Sequence, residues 1–252
     1  MEVRVLGPVE IWDCDKTVDV GPIQQRIVLA VLAANASRPV SAEALIDRVW
    51  GEQPPAKARD ALYTYISRLR RLLGSRQSAA GAPEVEGVQV LRRADGYLLD
   101  MEAELIDLHR FRQLVARARV EESSEVDRAK LLREALDTWS ETPLAGLPGQ
   151  WVARARGSWE HERLDAATRW AALELRLGRP LDVIAPLREL LWDHPVAEPL
   201  AAVLMRALAM AGREAEALDY YASLRTQLAD TLGVEPGSQL RAVHQALLRD
   251  EL

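Results

Sequence analysis

A mixed fold, a small α/β part followed by an all-helical one, is predicted by three observations. Apolar residues alternate over Val3, Val5, Val9 and Ile11 and return around Tyr97 to Leu99, as half-buried strands require. Between those stretches, apolar residues recur every three or four positions in three successive segments, the spacing of helices that each bury one face. Beyond Asp100 the strand signals stop, and Leu177-Gly178-Arg179 and Ala211-Gly212-Arg213 repeat 34 residues apart, with Trp170 matched by Leu204 and Leu187 by Tyr221. That is the tetratricopeptide period, in which helix, turn, helix units stack on one another.

The elements follow in order. Gly7-Pro8 interrupts the first alternation, and Thr17 to Val20 supplies a second short strand, so a small sheet opens the chain. Gly21-Pro22 starts a helix, proline being tolerated in a first turn, with Ile23, Ile27, Val31 and Ala34 near one face; Asn35 to Pro39 ends it. Ser41 is a natural N-cap for the next helix, Glu43 suits its macrodipole, and Leu45, Ile46, Val49 and Trp50 form its buried stripe. Gly51, Glu52, Gln53, Pro54 and Pro55 terminate it, because glycine accepts a left-handed cap and the prolines cannot donate to a continuing ladder. The third helix runs from Lys57 to Leu73, with Leu62, Ile66, Leu69 and Leu73 toward the core and Tyr63, Thr64, Ser67, Arg68, Arg70 and Arg71 outward. Gly74 closes it, a polar loop covers Ser75 to Glu86, and Val88 to Leu91 and Tyr97 to Leu99 flank Arg92-Arg93-Ala-Asp-Gly96, a hairpin in which Asp-Gly supports the tight turn.

Sheet, three helices with a short second one, then an arginine-tipped hairpin is the order of a winged helix-turn-helix, assigned to residues 1–100. Residues 101–252 form the all-α, tetratricopeptide-like part, read as helices over Arg110–Val120, Arg128–Trp139, Trp151–Leu177, Leu181–Trp192, Ala197–Met210, Glu214–Leu232 and Pro236–Leu248, with the longer ones cut further. Its aromatics, Trp139, Trp151, Trp159, Trp170, Trp192, Tyr220 and Tyr221, are expected in the core.

The net charge of -6 argues against nucleic acid until the charges are placed. The first hundred residues hold 13 basic and 13 acidic side chains, so the remainder holds 19 against 25, and Ala56 to Arg76 carries six basic residues and one acidic. DNA responds to that local potential. Lys57, Arg59, Arg70 and Arg71 are expected to contact phosphates, Thr64, Ser67 and Arg68 to select bases, and Arg92 and Arg93 to reach the duplex from the wing. A second reading keeps the fold but has the winged helix bind protein, which makes the chain an interaction adaptor; a salt titration separates the two.

The segment from Leu45-Ile-Asp-Arg-Val-Trp50 through Tyr63-Thr-Tyr65-Ile-Ser-Arg-Leu-Arg-Arg-Leu-Leu-Gly74 closely resembles the Streptomyces antibiotic regulatory protein family. Asp95-Gly-Tyr-Leu-Leu, then Ile106-Asp-Leu-His-Arg-Phe-Arg-Gln-Leu-Val-Ala-Arg-Ala-Arg119, looks like that family's wing and the start of its bacterial transcriptional activation domain. The resemblance implies an activator with an OmpR-type winged helix that binds direct repeats in promoter DNA and recruits RNA polymerase holoenzyme with its sigma factor, in control of antibiotic or other secondary-metabolite synthesis. By motif position, Thr64, Ser67, Arg68 and Arg70 match the recognition face, Arg92 and Arg93 the wing, and Gly51 to Pro55 the loop that touches polymerase. Arg92-Arg93-Ala-Asp departs from the family's usual Pro- and Gly-rich wing. A homodimer on the repeated sites, head-to-tail or two-fold, is also implied.

No enzyme is expected. Gly-rich phosphate loops are missing, His109, His161, His194 and His244 are scattered, and the single Cys14 forms neither disulfide nor zinc site. Neither a cofactor nor a metal is expected, and a reducing cytoplasm, away from membranes, fits the composition.

Overall fold

The computed structural model describes residues 1–14, 16–74, 88–120, 124–249 and 251. The predicted loop from Ser75 to Glu86 lies outside the described residues. The chain divides into two compact units, one of Met1–Leu114 with Asp137–Glu160, the other of Val115–Leu136 with His161–Leu252.

The first unit opens on an antiparallel sheet of β1 (Glu2–Arg4), β2 (Glu10–Asp13) and β3 (Lys16–Val18), with Val3 opposite Ile11 and Ile11 opposite Val18. The predicted alternation is there, but Gly7-Pro8 divides it into two paired strands, so three strands stand where two were expected. Val3, Val5, Leu6 and Ile11 are fully buried. The open carbonyls of the β1–β2 connection are closed by a distant segment: Ser140, Leu144 and Ala145 donate their N–H groups to Leu6, Val5 and Gly7.

Helix α1 (Ile23–Ala34) is buried almost all round, from Gln25 through Ala33 except Arg26. Ile23, expected near one face with Ile27 and Val31, is 44% exposed as the first residue of the helix. A two-residue strand that the sequence reading did not contain, β4 (Val40–Ser41), precedes α2 (Ala42–Trp50). Ser41 therefore serves twice: its Oγ accepts from the Ala44 N–H at 3.1 Å as the expected N-cap, and its backbone stands opposite Gly96. Leu45 and Val49 are buried, whereas Ile46 is only half covered and Trp50 stacks on Tyr65 at 6.3 Å between ring centres. Gly51, at φ 59°, caps the helix.

Helix α3 (Ala58–Gly74) buries Ala58, Leu62, Ile66, Leu69 and Leu73, the predicted stripe. Strands β5 (Gln89–Arg93) and β6 (Gly96–Asp100) make the hairpin, and the second sheet runs β4-β6-β5. Its turn differs from the Asp-Gly expectation. Ala94 takes the positive φ, 43°, in the two-residue loop Ala94-Asp95, and Gly96 is already in β6 opposite Arg93. Glycine stands there for a different reason: a Cβ would fall on the Val40 carbonyl oxygen, so only a residue without one lets β6 approach β4.

Helices α4 (Asp107–Arg117) and α6 (Gln150–Arg176) each begin in the first unit and end in the second. The second unit also holds α5 (Glu125–Leu136), α7 (Pro180–Asp193), α8 (Glu198–Met210), α9 (Glu214–Leu232) and α10 (Ser238–Leu248), with α8 packed against α7, α9 and α10. Contrary to the expected cuts, α6 runs 27 residues without a break. The 34-residue repeat is physical. Gly178 and Gly212 take φ of 73° and 70°, and the residue after each donates its N–H five residues back, Arg179 to Glu174 and Arg213 to Leu208. Trp139, Trp159, Trp170 and Tyr221 are buried as expected; Trp192, at 86% exposure, is not. Among the described residues, no helix is long and apolar enough to cross a membrane.

Candidate nucleic-acid interface

The candidate surface is the outward ridge of α3 with the hairpin beside it. Once Leu62, Ile66, Leu69 and Leu73 are turned inward, helical geometry places Thr64, Ser67, Arg68 and Arg71 on the opposite side, and all four are exposed, as is Lys57 just before the helix. The helix is thus anchored by its apolar stripe and presents hydroxyls and guanidiniums to solvent.

The predicted residues separate into those that, among the described residues, project from this ridge and those held elsewhere. Thr64 Oγ1 donates back to the Asp60 carbonyl at 3.0 Å, which leaves its oxygen lone pairs and methyl outward. Arg59 forms an exposed pair with Glu43 at 3.6 Å, a contact weak enough for a phosphate to replace. Arg70 points sideways: its Nε donates to the Val90 carbonyl at 2.7 Å and its guanidinium lies 6.0 Å from the Tyr97 ring centre, so it pins β5 and β6 to the helix. Burial, then neighbouring Tyr63, pushes the Tyr97 phenol above its ordinary value, with Arg92 and Arg70 pulling it down.

The two wing arginines do not share a face. Arg92 is directly opposite Tyr97, on the side that buried Val90 turns toward α3, and Arg93 alternates to the other side of the sheet. The hairpin tip is fixed to α2, where the Ala42 N–H donates to the Asp95 carbonyl at 3.0 Å. In the loop between α2 and α3, Glu52, Gln53, Pro54 and Pro55 are exposed and Gly51 is half-buried.

The one acidic residue counted between Ala56 and Arg76, Asp60, stands in the first turn of α3 on the exposed side. One feature escaped the sequence reading: Arg68 and Arg71 line a cleft of about 250 Å³ with Asp19, Val20, Gly21, Pro22 and Gln25, at the N-terminal end of α1. The helix start at Gly21-Pro22 is legible; its nearness to α3, some 45 residues on, is a tertiary fact.

Comparison with known proteins decides the family. Residues 106–248 match the family described as Bacterial transcriptional activator domain, and residues 15–91 match Transcriptional regulatory protein, C terminal. The regulatory protein DnrI of Streptomyces peucetius is 34% identical over 253 residues, covering 99% of this chain and 92% of that protein. The chain belongs to the Streptomyces antibiotic regulatory protein family. As a member of this family of transcriptional regulators, it is also 37% identical to the regulatory protein AfsR of Streptomyces coelicolor, over 97% of its length but only 24% of the larger protein. The solved structure of Mycobacterium tuberculosis EmbR in complex with a low affinity phosphopeptide superimposes with a TM-score of 0.82 at 33% identity, over all of this chain and 65% of that one. The chain therefore spans about a quarter of AfsR and about two thirds of EmbR.

Proposed function

We propose that this family member is a sequence-specific transcriptional activator that binds direct repeats in promoter DNA and recruits RNA polymerase holoenzyme, in control of antibiotic or other secondary-metabolite synthesis. The observation that carries the reading is the outward ridge of α3, with Thr64, Ser67, Arg68 and Arg71 exposed together on a helix whose opposite face is anchored in the core. Residues 1–100 are assigned the DNA-reading role and residues 101–252 the activating one. Arg68 and Ser67 read base edges; Lys57, Arg59 and Arg71 hold phosphates; Arg93 reaches the backbone from the wing. Arg70 contributes by holding the wing, and Arg92, exposed on the same hairpin, reaches the duplex beside Arg93. The exposed residues from Glu52 to Pro55 meet polymerase, and the regulator works in the cytoplasm as a homodimer across two repeats.

Fragment selection from genomic DNA followed by a salt titration tests this. With three or four phosphates neutralised per subunit, the logarithm of the binding constant should fall with the logarithm of salt concentration at a slope of about -3 per subunit. A slope near zero, or no enriched sequence, would instead favour the adaptor reading in which the winged helix meets protein.

A further inference from the structure

Residues 101–252 are acidic on balance, yet in the second unit five arginines line two clefts that flank α6. Two adjoining clefts, of about 180 and 310 Å³, share Ala172 and Arg176 on α6. The end of α4 and α5 wall the first, and α8 walls the second. Leu132, Leu173, Leu175 and Val203, all buried, form an apolar floor, and Met210, 49% exposed, closes one end.

Arg119, Arg128, Arg169, Arg176 and Arg206 surround that floor. Arg128 is positioned by its Nε bond to the Ala118 carbonyl at 3.0 Å. Arg176 pairs with Glu125 at 2.8 Å, and Arg169 only loosely with Asp165 at 3.8 Å. Arg119 and Arg206 form no ion pair among the described residues. Guanidiniums are suited to carboxylates because their planar donors bind both oxygens. The two clefts adjoin at Ala172 and Arg176, which suits an extended chain lying across both better than one compact small molecule. The apolar floor in turn disfavours duplex DNA, whose backbone offers nothing to cover it.

We propose that these two clefts bind an acidic peptide segment of a partner protein, its apolar anchors on the α6 floor and its carboxylates on the arginine rim. The proposal stands apart from the DNA-binding reading, since it uses no residue of the winged helix.

The test uses the full chain and a fluorescein-labelled synthetic peptide of about ten residues, with two leucines four apart among glutamates, followed by anisotropy. Saturable binding is expected, weakened at least about tenfold by Arg169→Glu with Arg206→Glu, both exposed positions, and clearly by Met210→Ser. Replacing the peptide's leucines by serine, or its glutamates by glutamine, should weaken binding to the unaltered chain to a similar degree, a comparison that does not depend on the variants folding. Absence of saturable binding, equal binding by the double variant, or equal competition by the serine peptide or by duplex DNA would overturn the proposal.

Discussion

Replacing Asp107 by alanine tests how the first unit is held together. Asp107 begins α4, and its carboxylate accepts the N–H groups of Val5 at 2.8 and 3.0 Å, Leu6 at 2.8 Å and Leu108 at 2.7 Å. Val5 and Leu6 are fully buried, so truncation strands two buried donors at ~1–3 kcal/mol each, ~2–6 kcal/mol together. That is a large part of the ~5–15 kcal/mol by which a domain is stable. Burial raises the Asp107 carboxyl from 3.8 to about 6, against the pull of the Leu6, Val5 and Leu108 N–H groups and of Arg4. The folded chain therefore takes up this proton as pH falls through about 6, well before the unfolded chain does at 3.8. The resulting stabilisation, ~3 kcal/mol at 1.36 kcal/mol per unit, is complete below the unfolded value and lost as pH rises through the folded one. Urea unfolding followed by tryptophan fluorescence should thus show the original chain more stable than Asp107→Ala, with a gap that widens from about pH 8 to about pH 5. A gap below ~0.5 kcal/mol, or one that narrows on acidification, would refute the reasoning.

Three further outcomes are expected. Gly96→Ala drives a methyl onto the Val40 carbonyl and to 2.8 Å from the Ser41 Cα, backbone atoms that cannot swing aside, so the β4–β6 pairing should be lost at ~1–3 kcal/mol or more, read as a lowered thermal midpoint. Gly178→Ala and Gly212→Ala meet open space and differ only in backbone strain at φ of 73° and 70°, so each should lower stability by ~1 kcal/mol; clearly unequal effects would contradict the shared cap geometry. Arg68→Ala should weaken binding to the selected repeat by ~1–3 kcal/mol and relax preference at one base position, measured by quantitative gel shift, while unchanged affinity and selectivity would remove Arg68 from the reading set.

Periodic elements were legible because their side chains announce which face is buried. The apolar stripe of α3 and the whole of α9, Glu214–Leu232, stand where spacing placed them, and the two glycine turns repeat as the period requires. What stayed hidden depends on partners distant in sequence. β4 is two residues long and exists because Gly96 admits it; no local pattern marks such a strand. Arg70 and Arg68 look alike in a basic run, yet one is bound to the Val90 carbonyl and the other lines the cleft beside α1, a difference set by about 160° of rotation around the helix. Adjacent Arg92 and Arg93 read as one basic tip, but the pleat sends them to opposite faces. Trp192 followed hydrophobicity in the expectation and solvent in the fold, as a terminal helical turn allows.

The N–H groups of Ser140, Leu144 and Ala145 satisfy the carbonyls of the β1–β2 connection, and the order of synthesis delays that pairing. As it leaves the ribosome, a nascent chain grown to Leu114 already carries every residue of the winged helix but lacks the 24-residue stretch Asp137–Glu160 of the same compact unit. Val5, Leu6 and Gly7 must therefore wait, their carbonyls still in water, until more than twenty further residues have been synthesised. The winged helix is translated first but finished late, and a shortened product ending at residue 114 would leave those three carbonyls without their N–H partners.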